Sequence, residues 1–334
     1  MAPPPAHPVI MRMDKLAFPV SNFGSHAGPR LARLAGLVAR CAKLNPARTA
    51  VVHPCDASSL AAAIDAARAG LIDPVLVGPE KKILAAAQAA GADIGKYKLV
   101  STPHSHAAAA EAVAMARRGE VECLMKGSLH TDELMHEVVT PGSGMATGKR
   151  ISHCYVFDVT SYPRLLIITD AAINIFPKLS EKRDICQNAI DLAHILGVAR
   201  PKVAILSAVE TVTEKLPSTI DAAALCKMAD RGQITGGLLD GPLALDNAVS
   251  PEAARIKGLT SPVAGEADIL LVPDLESGNM LAKQLTFLEG ADGAGIVIGA
   301  KVPIILTSRA DPEHTRIASC AIAVLIAEMN RHPS

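Results

Sequence analysis

The chain has 334 residues, 49% of them hydrophobic and 20% charged, which is enough to bury a large core and is more naturally two domains than one. Its 33 basic and 33 acidic residues cancel, and with five Phe, three Tyr and no Trp it has neither a basic field nor stacking platforms. Nucleic acid and anionic membranes are therefore not expected as partners. Seven Cys (41, 55, 123, 154, 186, 226, 320) lie far apart without a C-x-x-C, and an odd number cannot pair fully within one chain. They read as reduced, mostly buried thiols of a cytoplasmic protein.

Residues 1–28, opening MAPPPAHPVIMRMDKLAFPV, lack a continuous apolar run and read as a partly disordered lead-in. No later run approaches the roughly 18 apolar residues a membrane span requires. Helical patterning at 31–44 and 58–69 is followed by PVLVG (74–78), an Ala-rich helix, a short strand at 97–100, a second Ala-rich helix at 105–118 and VECLMKG (121–127). This βαβα rhythm predicts a parallel sheet covered by helices on both faces.

After Gly148 the pattern changes. SHCYVFDV and RLLIITD, joined through Thr160-Ser161-Tyr162-Pro163, predict a hairpin. A long helix at 180–196, KVAILS, a helix ending at Asp230, ITGGLLDG and ADILLVPD make a second α/β unit. PIILTSR and a helix over 312–330 have no sheet of their own and are expected to return to the first unit. The expected division is domain I, residues 29–148 plus 300–334, and domain II, residues 149–299.

Several familiar motifs fail on spacing. GSGMATGKR (142–150) has Ser143 and Arg150 at key positions of a phosphate loop. Gly293, Gly295 and Gly299 are one residue too widely spaced for a dinucleotide fingerprint. His104/His106 and His130/His136 lack the i, i+4 spacing of a helical zinc pair, so capping or surface roles are expected.

Three late apolar runs each end in a polar cluster: Asp240-Gly241, Asp274 to Asn279 with Gly278 inside it, and Thr307-Ser308-Arg309. Ligands of open α/β sheets collect at the carboxyl edge of strands, where backbone N–H groups and helix N-termini face solvent. At the last cluster Asp311 is expected as N-cap and Pro312 as the first helical residue, with one apolar stripe through Ile317, Ala321, Val324 and Leu325. That turn offers a hydroxyl, a bidentate cation and free N–H groups, which suit a phosphoryl group.

MKGSLHTDELM (125–135), LLIITDAAINIFP (165–177), LLDGPLALDNAVS (238–250), SPVAGEADILLVPDLESGNMLAK (261–283) and VPIILTSRAD together resemble the phosphate acetyltransferase and phosphate butyryltransferase family. They look closest to the acyltransferase portion of bifunctional enoyl-CoA hydratase/phosphate acetyltransferase proteins. The resemblance covers residues 48–330. It implies two α/β domains with a cleft between them, as in isocitrate and isopropylmalate dehydrogenases, and a homodimer. It also implies the reaction of acyl-CoA with phosphate to give acyl phosphate and CoA, with no metal and no cofactor beyond CoA as substrate. Ser308 and Arg309 match the family's Ser-Arg pair, which holds the phosphate end and polarises the acyl carbonyl; an oxyanion developing there needs such a positive group or N–H donors.

The chain departs from the acetyltransferase branch in three places. An Asp seven residues past the Ser, thought to take the thiol proton, is replaced by Thr315. Asp311, Glu313 and His314 stand nearby; Asp311 is a possible base but also reads as a helix cap. Pro242 and Met135-His136 look more like the butyryltransferase branch, and a hydrophobic pocket discriminates only about 1 to 3 kcal/mol per methylene.

Other candidate substrate- and CoA-binding residues follow strand ends. Lys126 and Gly127, with His130 and Thr131 just beyond, are placed to reach phosphate. Asp170 and Asn174, at the end of a buried run, either face the cleft or tie loops together. Asp240, Gly241, Asp274, Gly278 and Asn279 serve a ligand or build turns, since Asx side chains cap their own backbone. Two other functions compete: a non-catalytic protein that binds CoA or acyl phosphate, and a metal-dependent dehydrogenase of the same fold. The latter needs clustered Asp ligands and several Arg, and the candidates here include essentially one Arg.

Overall fold

The computed structural model describes residues 32–306 and 311–332; the expected lead-in and the pair Ser308 and Arg309 lie outside the described residues. The first part of the chain alternates α1 (Ala32–Cys41), β1 (Ala47–Val52), α2 (Ala57–Arg68), β2 (Ile72–Gly78), α3 (Glu80–Ala90), β3 (Lys98–Ser101), α4 (Ser105–Arg117), β4 (Cys123–Lys126) and α5 (Thr131–Val139). The second part runs β5 (Ser152–Asp158), β6 (Leu166–Thr169), α6 (Leu179–Leu196), β7 (Lys202–Leu206), α7 (Pro217–Asp230), β8 (Leu238–Leu243), α8 (Leu245–Val249), α9 (Pro251–Ile256), β9 (Ile269–Leu271), α10 (Leu275–Phe287) and β10 (Asp292–Ile298). The last elements are β11 (Ile304–Ile305) and α11 (Glu313–Arg331).

Among the described residues eleven strands form one mixed sheet in the order β3-β2-β1-β4-β11-β10-β5-β6-β9-β7-β8. The expected parallel ladder holds from β3 to β11, and the expected β5/β6 hairpin is antiparallel with Tyr155 opposite Ile168. The returning strand β11 pairs with β4 on one side and with β10, antiparallel, on the other. Because β10 reverses direction against both β11 and β5, and β6 reverses again, β6, β9, β7 and β8 run opposite to β1, β4 and β11. The sheet therefore has two carboxyl edges. Below, "upper" is the edge where β1, β4 and β11 end, and "lower" the edge where β6 and β9 end.

Local chemistry sets the helix ends. Asp56 starts α2 by accepting the Ser59 N–H at 2.7 Å, and Asp274 starts α10 by accepting the Ser277 N–H at 2.9 Å. Gly197 ends α6 at a left-handed φ of 102°. His104 caps α4, as expected, its Nδ1 accepting the Ala107 N–H at 3.2 Å. Two expectations about α11 are corrected. The helix begins at Glu313 with Pro312 as its N-cap, so Asp311 lies outside it, its carbonyl oxygen accepting from Arg316 Nη1 at 2.9 Å. Instead of one apolar stripe, every residue from Ala318 to Ala327 is buried, because α11 is enclosed by α1, α2, α6 and β10.

One face of the sheet carries a single core that runs from Leu60 and Met125 through Val156 and Ala321 to Ile190 and Leu225. On the other face the core breaks in two. One cluster packs α4 and α5 on β1 and β4, through Val113, Leu134 and Leu124; the other packs α8 and α10 on β5, β6 and β9, through Phe157, Ile168 and Leu270. All seven cysteines are free thiols, five of them buried. Among the described residues no helix is long and apolar enough to cross a membrane.

Candidate active site

At the upper edge the connections after β1 and β4 part company. The chain after β1 enters α2, which packs in the continuous core, while the chain after β4 enters α5 on the opposite face. The crevice between the ends of β1 and β4 is thus a topological switch point, the place where open α/β sheets receive ligands. The two exits are tied together. Gly127 donates its N–H to the Val52 oxygen at 2.9 Å, and a Cβ there would stand 2.4 Å from that oxygen and 2.6 Å from the His53 oxygen. Only glycine fits. Ser128 donates its N–H and its hydroxyl to the His53 carbonyl oxygen, at 2.9 and 2.8 Å.

His53 has a φ of 55°, the only left-handed value at a non-glycine residue among the described residues, and such strain persists where surrounding structure enforces it. Its Nδ1 lies 3.1 Å from Ser128 Oγ, which also accepts the Cys55 N–H at 3.2 Å. Burial, reinforced by the charge of Lys82, lowers the His53 pKa. Lys126 Nζ folds over the same turn, donating to the carbonyl oxygens of Gly127 and Leu129 at 3.2 and 3.3 Å. His130 and Thr131 start α5, where Glu133 Oε1 accepts the His130 N–H at 3.3 Å.

A cavity of about 500 Å³ opens between α10 and the start of α11. Tyr155 and Phe157 line it from β5, with Gly293 opposite them on β10. Side chains two apart point to one face of a strand, so His153, Tyr155 and Phe157 form a ladder, with 4.4 Å between the first two rings and 5.5 Å between the second two. The glycines that failed as a dinucleotide fingerprint make room for it. A Cβ on Gly293 would meet Phe157 at 2.6 Å, and one on Gly295 would meet His153 Nε2 at 3.0 Å. His153 is 1% exposed and its Nδ1 has no hydrogen-bond partner among the described residues. Burial pushes its pKa down to about 4, against the opposing charge of Asp170.

The far wall of the cavity is α10, from Asn279 to Phe287, and its other rim is Asp311, Pro312 and Thr315. Thr315 is 9% exposed. Burial raises the Tyr155 phenol pKa, and the charge of Asp311 adds to the rise. His314 Nε2 lies 2.5 Å from Asp292 Oδ1 beside the same rim.

The lower edge is built differently. Asp170, 2% exposed, receives four donors: the N–H groups of Ala172 and Ile173 at 2.9 Å each, the His153 N–H at 3.1 Å and Asn174 Nδ2 at 2.6 Å. Asn174 in turn accepts from Arg150 Nε at 2.7 Å and donates to the Ile151 oxygen at 2.9 Å. Both residues tie loops together in this structure. Gly278 lets α10 press on this knot, since a Cβ would stand 2.7 Å from the Asp170 oxygen, and Asn279 Nδ2 donates to the Ala171 oxygen at 3.2 Å. Asp274 is a helix cap, and Asn279 alone of this group also lines the cavity.

Asp240 and Gly241 were expected at a strand end, but they lie inside β8, the outermost strand. Asp240 Oδ1 accepts its neighbour's N–H at 2.9 Å, and Gly241 packs on the Ile205 oxygen. β8 is three strands from β6, roughly 14 Å at about 4.8 Å per strand, so this pair is not brought to the cavity. The structure thus gathers Lys126, Gly127, His130 and Thr131 at the switch point, and Asp311 with Asn279 at the cavity. Sequence reasoning missed His53, Ser128 as its partner, Tyr155 and Arg150. The spacing H-x-Y-x-F against G-x-G on a second strand was the available signal for the ladder; nothing in VVHPCD announced the backbone of His53.

The model for the family described as phosphate acetyl/butaryl transferase matches residues 101–324. The chain is 63% identical over 295 residues to a phosphate acetyltransferase of Rhizobium meliloti, covering 88% of this chain and 93% of that protein. It is 43% identical over 280 residues to a phosphate butyryltransferase of Clostridium acetobutylicum, covering 84% and 93%. The solved structure of a branched-chain phosphotransacylase from Enterococcus faecalis V583 superimposes with a TM-score of 0.74 at 28% identity, over 84% of this chain and 99% of that one. Matched over two thirds of its length by the family model and over most of it by these relatives, the chain belongs to the phosphate acetyl/butaryl transferase family.

Proposed function

We propose that this protein is a phosphate acyltransferase that exchanges the thiol of CoA and phosphate on a short-chain acyl group: acyl-CoA plus phosphate gives acyl phosphate plus CoA. The observation that carries the reading is the cavity whose rim is Asp311, Pro312 and Thr315, the residues that follow Ser308 and Arg309 in the chain. In this reading Arg309 stabilises the oxyanion at the acyl carbonyl, Ser308 donates a hydrogen bond to it, and Tyr155 and Phe157 give the acyl and pantetheine groups an apolar floor. No metal takes part.

Burial raises the pKa of all seven cysteine thiols, Cys55 to about 11, which disfavours a protein thiolate as acyl carrier. Transfer is then direct, between thiol and phosphate held side by side. Residues 29–148 with 300–334 and residues 149–299 act as two domains flanking the cleft, a division supported by the core that splits on the cavity face. A cytoplasmic homodimer completes the proposal.

The branch is read as acetyl, because the relative named phosphate acetyltransferase has the higher identity, although Pro242 and Met135-His136 lean towards butyryl. The test is phosphate-dependent release of CoA thiol from acetyl-CoA and butyryl-CoA by wild type and Arg309→Ala. Release that requires phosphate and falls about 10²- to 10³-fold in the variant is the expected result. Binding of CoA without turnover of either substrate would make this a binding protein instead.

A further inference from the structure

We infer that the Tyr155 hydroxyl donates a hydrogen bond to the acyl carbonyl oxygen as negative charge develops there, a catalytic role beside those of Ser308 and Arg309. The inference rests on the acyltransferase reading and deepens it.

Register brings Tyr155 to the exit of β11. It pairs with Gly295 of β10, and the next residue of β10, Ile296, pairs with Ile305 of β11. Tyr155, Gly295 and Leu306 therefore form one row across three strands. A side chain at the middle position would separate the outer two. With glycine there, Cε1 of the Tyr155 ring and the Leu306 oxygen each stand 3.3 Å from the point a Cβ would occupy. The phenol thus leans towards the strand exit that Ser308 and Arg309 follow in the chain. The rings of His153 and Phe157 hold it from either side, at 4.4 and 5.5 Å, so its position is fixed before substrate arrives.

The Tyr155 hydroxyl has no hydrogen-bond partner among the described residues. Unlike His153 Nδ1 it is not sealed from solvent, so it opens on the cavity of about 500 Å³ that the ring lines. Burial and the charge of Asp311 raise its pKa, which keeps its proton in place at neutral pH and makes it a donor. Other polar groups of the lining are engaged elsewhere. Thr286 donates its hydroxyl to the Ala282 oxygen at 3.0 Å, Asn279 Nδ2 donates to the Ala171 oxygen at 3.2 Å, and Asp292 faces His314. Lys283 is an exposed residue of the α10 wall, which leaves Tyr155 and Thr315 as the hydroxyls that can donate inside. An acyl group has one polar atom, its carbonyl oxygen, and burying that acceptor without a donor is costly. With its carbons on Phe157, Gly293 and Ala282, its oxygen meets Tyr155. A phosphate oxygen adds to the carbonyl carbon, and the π pair moves onto the carbonyl oxygen, which the hydroxyl meets. The pair returns as the C–S bond breaks. Sulfur leaves with the electrons of that bond and ends as the CoA thiol, carrying the proton that hydrogen phosphate brought. Tyr155 keeps its own proton throughout.

The experiment measures kcat and KM for acetyl-CoA with saturating phosphate, together with urea midpoints, in wild type, Tyr155→Phe and Thr315→Val. Tyr155→Phe removes one oxygen and keeps the ring, and because that oxygen bonds nothing in the free protein, the urea midpoint should stay at the wild-type value. Its kcat should fall about 10²-fold while KM changes no more than a few-fold, the mark of a bond made in the transition state. A kcat within a few-fold of wild type would overturn the inference and leave the ring an apolar floor. A raised KM at unchanged kcat would also overturn it, since the hydroxyl would then hold CoA rather than the developing charge. So would a slower rate accompanied by a lowered midpoint, or a loss seen in Thr315→Val and not in Tyr155→Phe. Absence of turnover in wild type would defeat the acyltransferase reading itself, and with it this one.

Discussion

Two polar clusters stand at opposite edges of the same sheet. At the lower edge, Asp170 and Asn174 are buried and their carboxylate and amide are filled by Ala172, Ile173, His153, Arg150 and Ile151. At the upper edge, His53 and Ser128 are half-buried and join the exits of β1 and β4, the Ser128 hydroxyl donating to the His53 carbonyl oxygen and its Oγ standing 3.1 Å from Nδ1. Both clusters consist of polar residues just past apolar strands, and composition alone does not separate them. What does is saturation. A buried group whose valences are met by the protein holds the fold, because leaving it unmet costs too much, whereas a half-buried group at a strand exit can trade its bonds for those of a substrate.

The largest effect expected from this contrast is Asp170→Ala. It strands the Asn174 side-chain amide and three backbone N–H groups, at a cost of about 3 to 5 kcal/mol. Urea unfolding should show the loss as a lower midpoint. An unchanged midpoint would break the comparison, since it would mean the knot carries no stability.

Gly127→Ala comes next and should affect both properties. The new Cβ meets the Val52 and His53 carbonyl oxygens, which are backbone and yield only by moving the two strand exits apart. A destabilisation of about 1 to 3 kcal/mol is expected, together with a fall in kcat because the switch point widens. A variant as stable and as active as wild type would show that the exits need not be tied.

Much of the fold was legible in the sequence. The βαβα rhythm of 74–127, the β5/β6 hairpin and the buried thiols all follow from local periodicity and composition, whereas β1 was not read from the sequence. Strand direction was not, because the reversal at β10 depends on pairing between residues far apart, Ile296 with both Cys154 and Ile305. Since β5 runs with β11 again, it is the turn back at β6 that keeps Asp240-Gly241 and Asp274 to Asn279 from sharing an edge with the end of β11. The start of α11 was misread for a local reason: Asp311-Pro312 satisfies the capping pattern at either of two registers, and the structure uses Pro312. His53 was invisible because a left-handed histidine has no sequence signature, unlike the glycines facing the aromatic ladder.

The smallest effect concerns the other end of β4, where a third polar cluster supplies a control. Glu122, just before that strand, accepts from Arg331 Nε at 2.7 Å and Nη2 at 2.9 Å and from the Arg48 N–H at 3.0 Å, pinning the end of α11. Arg331 first, and then Arg48, outweigh burial and hold its carboxyl at about 2. Since the folded value lies below the unfolded one of about 4.3, the stability Glu122 contributes is present above that pH and is lost as pH falls towards the folded value. The cluster is partly solvated, so Glu122→Gln should lower stability by no more than about 1 kcal/mol at neutral pH, and by less near pH 3. Urea midpoints of the two proteins at both pH values measure this, while kcat should stay at the wild-type value because Glu122 precedes β4 and the switch point follows it. A rate that fell with Glu122→Gln would mean that the two ends of this strand are coupled, and that saturation and availability are not separate properties of its polar groups.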